Sequence, residues 1–368
     1  MSFRPNGVSG EIYIETNKTN NMKKIIISMM AVAALAACTK SEVQYEPAGE
    51  ISFAPVASNV TKSVAGYEGN TFNGEFPTDI DLYVFANAGT GAVADHDEPY
   101  FQNALFEWNS GKGVEGTQGT VNTPGAYAGN PTRYWPNVKT LVFAGYSNAC
   151  NVATLATKPS MDFENNQLTI TGYTQDNTKT EEGENDLMWF ACDDQTYSKQ
   201  ADEIAANMQH AGSWITIKVA ADANMVSSNC QLNSLKLNAF NHTGNVVCGA
   251  DAATWNTLSN SKEEYYLNGA AEVLSETATA YETTANNFIV IPQEPVMLDV
   301  TYTYVSDSAN NITSTETKPV SLAYTTTAPT AWKNGVHYIY TITITATEIL
   351  IDPVVAEWDD QTYDLGNI

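Results

Sequence analysis

The sequence predicts an all-β protein, arranged as two β-sandwich domains in tandem. Three observations predict it. Short runs along the chain alternate apolar and polar residues with a period of two. Gly, Asn, Pro and Asp punctuate these runs, as turns require. A helical period is scarce, and the best short helix candidate runs from Asp202 to Met208. The chain has 368 residues, 43% of them hydrophobic, enough for a large core. One sandwich takes about 100 residues, so two with generous loops fit this length.

The N-terminus reads as an address rather than as fold. Residues 22–38 are MKKIIISMMAVAALAAC. Lys23 and Lys24 form a basic start, and Ile25 to Ala34 an apolar stretch followed by small residues. Such a run is a secretory signal, too short for a permanent bilayer span. It ends in Leu35-Ala36-Ala37-Cys38, which matches a bacterial lipobox. Cleavage between Ala37 and Cys38 would leave a cysteine thiol to be acylated, and lipid chains would hold the protein to a membrane. On this reading residues 1–21 are an upstream extension outside the working protein, and residues 22–37 are the signal peptide. Residues 38–49 are a polar tether with Pro47 and Gly49.

The N-terminal sandwich is expected over 50–197. It opens with EISFAPV, a strand in which Ile51 and Phe53 face one way and Val56 closes the run. The stretch after it is polar and contains glycine, so it reads as exposed and cleavable at Lys62. Ile80, Leu82 and Val84 then alternate with Asp81, Tyr83 and Phe85. The polar stretch Ser198–Gln209 marks the boundary, and the C-terminal sandwich is expected over 198–368. Its strands are read from Ile215, Ile217 and Val219; from Leu235, Leu237 and Ala239; from Val296 to Tyr304; and from Tyr338, Tyr340, Ile342 and Ile344. At the end Ile349 and Ile351 alternate, Pro353 interrupts, and Val354, Ala356 and Trp358 alternate again. A terminal strand of this kind has two fates. It can complete its own sheet, or it can add to the sheet of a neighbour that has lost a strand.

Charge and motif content exclude several function classes. With 42 acidic against 17 basic residues the net charge is −25, which leaves nothing to neutralise phosphates and argues against nucleic-acid binding. His96, His210, His242 and His337 are isolated, with no H-E-x-x-H, no G-x-S-x-G and no phosphate-binding loop. No catalytic residue, metal site or cofactor is assigned beyond a covalent lipid on Cys38. Acidic clusters at Asp95–Glu98 and Glu181–Glu184 are read as solvated loops. Cys150, Cys192, Cys230 and Cys248 lack metal spacing; export permits disulfides, the sequence cannot pair them, and small buried thiols are the preferred reading. Tyr134-Trp135-Pro136 and Trp332-Lys333-Asn334-Gly335 offer aromatic platforms for sugars, but strand-end packing over a core is the simpler account.

Taken in order, these pieces resemble one family. The lipobox at Cys38 leads to the Ile51–Phe53 strand and Thr61-Lys62-Ser63. Ile80-Asp81-Leu82-Tyr83-Val84-Phe85 follows, then Arg133-Tyr134-Trp135-Pro136 before Leu141-Val142-Phe143-Ala144-Gly145-Tyr146. Asp186-Leu187-Met188-Trp189, His210, Trp332-Lys333-Asn334-Gly335 and the closing Val354-Val355-Ala356-Glu357-Trp358-Asp359 complete the series. The chain resembles the fimbrillin family, type V pilus subunits of Gram-negative gut and oral bacteria. The resemblance implies two transthyretin-like β-sandwich domains and export as an outer-membrane lipoprotein. It implies a cut by an extracellular trypsin-like protease, which carries over to Lys62 and Ser63. Family proteases typically cut after arginine, and this chain has lysine there. Loss of the first strand, with Ile51, Phe53 and Val56, would open a groove. Ile349, Ile351, Val354, Ala356 and Trp358 of another subunit would fill it, building a fimbrium that supports adhesion and biofilm formation. Expected partners are copies of the chain or related pilins, with host or bacterial glycans as further candidates. The alternatives are a tip or accessory adhesin that binds glycans and a glycan-binding surface lipoprotein outside any pilus.

Overall fold

Alternating runs become strands throughout. The computed structural model describes residues 49–57, 80–89, 96–109, 126–136, 139–178, 184–191, 204–250, 252–281, 288–323 and 331–357. In chain order the strands are β1 (Ser52–Ala57), β2 (Leu82–Gly89), β3 (Glu98–Asn109), β4 (Ala126–Gly129), β5 (Thr140–Ser147) and β6 (Ser160–Asp162). Then come β7 (Gln167–Thr174), β8 (Met188–Phe190), β9 (Ile204–His210), β10 (Ser213–Ala221), β11 (Gln231–Cys248) and β12 (Ala253–Val273). The series ends with β13 (Thr279–Tyr281), β14 (Ile289–Val290), β15 (Met297–Asp307), β16 (Ile312–Ser321), β17 (Val336–Ile344) and β18 (Ile349–Glu357). Among the described residues one short α-helix, α1 (Ala223–Ser227), interrupts them, capped by the Asp222 carboxylate, which accepts from the Met225 N–H at 2.8 Å.

Seven strands close into a barrel in the order β1-β4-β3-β2-β5-β8-β9. All of its pairs are antiparallel except the closing pair, β9 against β1, which is parallel. β2 and β5 are buried along nearly their whole length. Both of their faces are covered, which explains why LYVFANAG and TLVFAGYS read as near-continuous apolar runs. Phe85, Val142, Ala144 and Tyr146 pack outward from the barrel against Leu168, Ile170 and Tyr173 of β7 and Val246 and Cys248 of β11.

Two further sheets complete the described fold. β13, β10, β17 and β18 form one, with β14 also paired to β10; β16, β15, β11, β7 and β6 form the other, with β12 paired to β11. Between them lies one core: Ile215, Ile217 and Val219 from β10 and Tyr338, Tyr340, Ile342 and Ile344 from β17 meet Leu232, Leu235 and Leu237 from β11 and Leu298, Val300 and Tyr302 from β15. Except for Leu232, which reaches the core across the bulge between Leu232 and Ser234, these are the alternating residues that the sequence puts on one face.

The structure departs from the sequence reading in two places. The helix expected at Asp202–Met208 is absent, because Ile204–His210 is strand β9. Its burial alternates with period two over Ile204, Ala206, Met208 and His210, and pairing with β1 and β8 overrides the weak helical pattern. The sheets also do not separate by sequence half. β11 is 18 residues long; its start pairs with β15 and its end with β7, so one strand serves both cores. The expected boundary between 197 and 198 falls outside the described residues, and β9, which follows it, belongs to the barrel.

Candidate functional site

β1 is a short segment placed where a barrel is most sensitive to its loss. Ile51 donates its N–H to the Arg133 carbonyl at 2.8 Å, and Trp135 donates to the Gly49 carbonyl at 2.9 Å. Glu50 bridges to Tyr134, and Ser52 and Phe53 stand opposite Ala128 and Tyr127 of β4. On the other side Phe53 to Ala57 run parallel to Ile204 to Met208 of β9. Ile51 and Phe53 are fully buried. The Phe53 ring meets Phe106, Phe143 and Phe190 at centroid distances of 4.9, 5.3 and 5.8 Å, the first two edge-on. Trp135 and Phe101 extend this aromatic cluster around Phe143, and the Arg133 guanidinium lies 5.6 Å over the Phe101 ring.

What β1 leaves behind is defined by these contacts. Without it the barrel opens between β4 and β9, and both strands acquire an unpaired edge. Phe106, Phe143 and Phe190, each at most 5% exposed, would line the opening. Fully burying a ring of this size is worth about 1.5–3 kcal/mol, so such a slot has a strong tendency to be refilled.

β18 occupies the opposite situation. It pairs with β17 along its whole length, from Ile349 opposite Ile344 to Glu357 opposite Val336, at the end of its sheet. Ile349 and Ile351 are half-buried against the core between the sheets. Leu350, Val354 and Val355 are about half exposed, at 50, 51 and 53%. Pro353 does not interrupt the strand: the register passes through it unbroken, opposite Tyr340. An edge strand tolerates proline because one row of its N–H groups faces away from the sheet. It follows that Ile349 and Ile351 lie on one face, and Val354 and Ala356 on the other.

Several predicted positions lie outside the described residues: Ala37, Cys38, Lys62, Ser63 and Trp358. Val56 and Ala356 are placed by backbone only, in β1 and β18. The strand that sequence reading missed is β9, the parallel partner of β1; the alternation of Ile204, Ala206 and Met208 was its available signal.

The remaining candidates resolve into packing. Trp135 and Trp332 are buried, and Trp332 donates its indole N–H to the Tyr340 hydroxyl at 2.9 Å. Tyr134 is exposed, and its carbonyl accepts from the Tyr100 hydroxyl at 2.7 Å. His210 and Asp186 form a buried pair at 2.6 Å, Nδ1 to Oδ2. His337 stacks on Trp214 at 3.6 Å and meets the Thr216 hydroxyl at 2.9 Å. Burial, and secondarily the Lys218 charge, lowers the His337 pKa to about 3. Cys230 and Cys248 are free thiols, the Tyr173 hydroxyl donates to Cys150 Sγ at 3.4 Å, and burial raises the Cys230 thiol to about 11, well away from reactive thiolate. Among the described residues no group of His, Cys, Asp or Glu is arranged to hold a metal ion. His96 is buried, with Nε2 2.7 Å from the Thr140 hydroxyl, and Glu98 beside it pairs with Lys139.

A family model described as fimbrillin-like matches residues 61–358. A fimbrial protein from Bacteroides vulgatus is similar in structure, with 18% identity and a TM-score of 0.53, covering 83% of this chain and 99% of that one. The tip fimbrial protein Mfa3 from Porphyromonas gingivalis, with a C-terminal truncation, matches at 10% identity and a TM-score of 0.39, covering 84% of this chain and 99% of that one. The first of these likenesses shows the fold alone. No curated protein matches the chain.

Proposed function

Because the chain belongs to the fimbrillin-like family, we propose that it is a structural subunit of a cell-surface fimbrium that polymerises by strand exchange. In this reading it is exported as a lipoprotein through Cys38 and reaches the outer membrane surface. A trypsin-like protease then cuts between Lys62 and Ser63, and β1 leaves. The C-terminal segment of another subunit, from Ile349 to Trp358, enters the vacated place. The contact is head-to-tail and does not close on itself, so repetition gives an open fibre. In this reading the tandem transthyretin-like sandwiches of such subunits are joined here through β11, which serves both cores, and the fimbrium supports adhesion and biofilm formation.

One observation carries the reading. The strand just upstream of Lys62 is the only parallel closure of the barrel, and it holds Phe53 amid three other rings. Its removal creates an aromatic slot with two open edges, while the last described strand of the chain, β18, sits at a sheet end held from one side. A stalk role is preferred over a tip role because a tip subunit needs only to receive a strand. The test is limited trypsin digestion of the full chain, followed by size-exclusion chromatography and electron microscopy. A product beginning at Ser63 that forms filaments, and a digested variant lacking 349–368 that stays monomeric, are expected. Cut material that remains monomeric with β18 in place would end the reading.

A further inference from the structure

The strand that leaves and the strand that arrives carry the same pattern. Residues 51–57 are Ile-Ser-Phe-Ala-Pro-Val-Ala, and residues 349–355 are Ile-Leu-Ile-Asp-Pro-Val-Val. Aligned without a gap, Ile, Pro and Val coincide at the first, fifth and sixth places, and a large apolar residue stands at the third in both. We propose that this shared pattern fixes the register of exchange: Ile349 takes the place of Ile51, Ile351 that of Phe53, and Pro353 that of Pro55. The proposal rests on the strand-exchange reading above and adds the residue-by-residue fit.

The two strands use this pattern on equivalent faces. Ile51 and Phe53 point into the barrel and are fully buried. Ile349 and Ile351 are the β18 side chains that pack on the core of their own sheet. One face therefore serves β18 in both locations, and transfer needs no flip of the strand about its axis. The register takes β18 in the polarity of β1, antiparallel to β4 and parallel to β9.

Proline selects among the registers of that polarity. The Ile51 N–H points toward Arg133, on the β4 side. Period-two alternation sends the Phe53 N–H to the same side, opposite Tyr127. Position 55, by the same alternation, turns its backbone to that side too. That position is already proline in β1, so a donor proline in its place costs no hydrogen bond that β1 makes. Shifting the donor by two residues, so that Pro353 falls at the place of Phe53, would set a missing donor against β4. In its own sheet β18 obeys the same parity. Thr345 donates to the Glu348 carbonyl at 2.9 Å, closing the β17–β18 hairpin. From that pair the alternation turns the backbone of Leu350, Asp352 and Val354 toward β17, and that of Ile349, Ile351 and Pro353 toward the free side. In both settings proline occupies a position whose N–H is not used.

Cysteine pairing reads the register directly. Ala205 is exposed on β9 and is the partner of Ala54, whose place Asp352 would take. Asp352 is also exposed. Full chains carrying Ala205→Cys together with Leu350→Cys, Asp352→Cys or Val354→Cys are cut with trypsin, allowed to polymerise and oxidised. Intermolecular cross-links are then identified by peptide mass spectrometry. The Asp352→Cys variant is expected to cross-link at least tenfold more than the other two. Dominant cross-linking from 350 or 354, or filaments without any cross-link to 205, overturns the register while leaving exchange itself standing. Absence of filaments from the unsubstituted chain overturns the exchange reading, and the register with it. Ile351→Phe supplies the ring that Phe53 provides, so its filaments should dissociate at a higher denaturant concentration. An unchanged or lower concentration counts against Ile351 in that place.

Discussion

Phe53 concentrates the chemistry of β1 in one side chain. It touches three phenylalanines contributed by β3, β5 and β8, so it links strands that are remote in sequence. Phe53→Ala should destabilise the uncut chain by about 3–5 kcal/mol, the usual cost of emptying a buried aromatic site, read from urea unfolding. His337 gives a second residue-scale expectation. Its folded pKa of about 3 lies below the ordinary value of 6.5, because burial penalises the imidazolium. The unfolded chain therefore binds the extra proton between these values. The contribution is present above about pH 6.5 and is lost as the pH falls toward about 3. His337→Gln should flatten that part of the stability profile, measured by denaturant midpoints at a series of pH values.

At the scale of elements, β1 and β18 differ in how they are held rather than in what they are. β1 is fixed from both sides within a closed barrel, whereas β18 is fixed from one side at a sheet end. Exchange is favourable when a terminal strand held on one edge moves to a slot that bonds it on two. A synthetic peptide of residues 347–358, added to trypsin-cut protein lacking 349–368, should raise its melting temperature in a concentration-dependent way. The same peptide should leave the uncut chain unchanged, because β1 fills the slot. A peptide with Ile349→Asp and Ile351→Asp should have no effect on either.

At the scale of the molecule, charge opposes assembly. A net charge of −25 makes copies of the chain repel one another, and salt screens that repulsion with a Debye length of about 8 Å at physiological ionic strength. Filament growth of cut protein should therefore accelerate between low and physiological salt, followed by light scattering. A rate that falls with salt would instead point to attractive charge pairs at the junction.

The sequence by itself determined the β class, the core faces and the terminal strands. Period-two alternation is local, and Ile215, Ile217 and Val219 are buried wherever their strand goes. Tertiary structure decided the rest. Ile204–His210 became a strand by pairing with β1 and β8, and β11 joined both cores because its 18 residues reach from β15 at one end to β7 at the other within one sheet. Nothing local to Ile51-Ser52-Phe53 says that it closes a barrel, nor that Pro353 can sit within an unbroken strand. Side-chain periodicity is written residue by residue, whereas the partner of a backbone N–H is chosen by whichever distant segment the folded chain brings beside it.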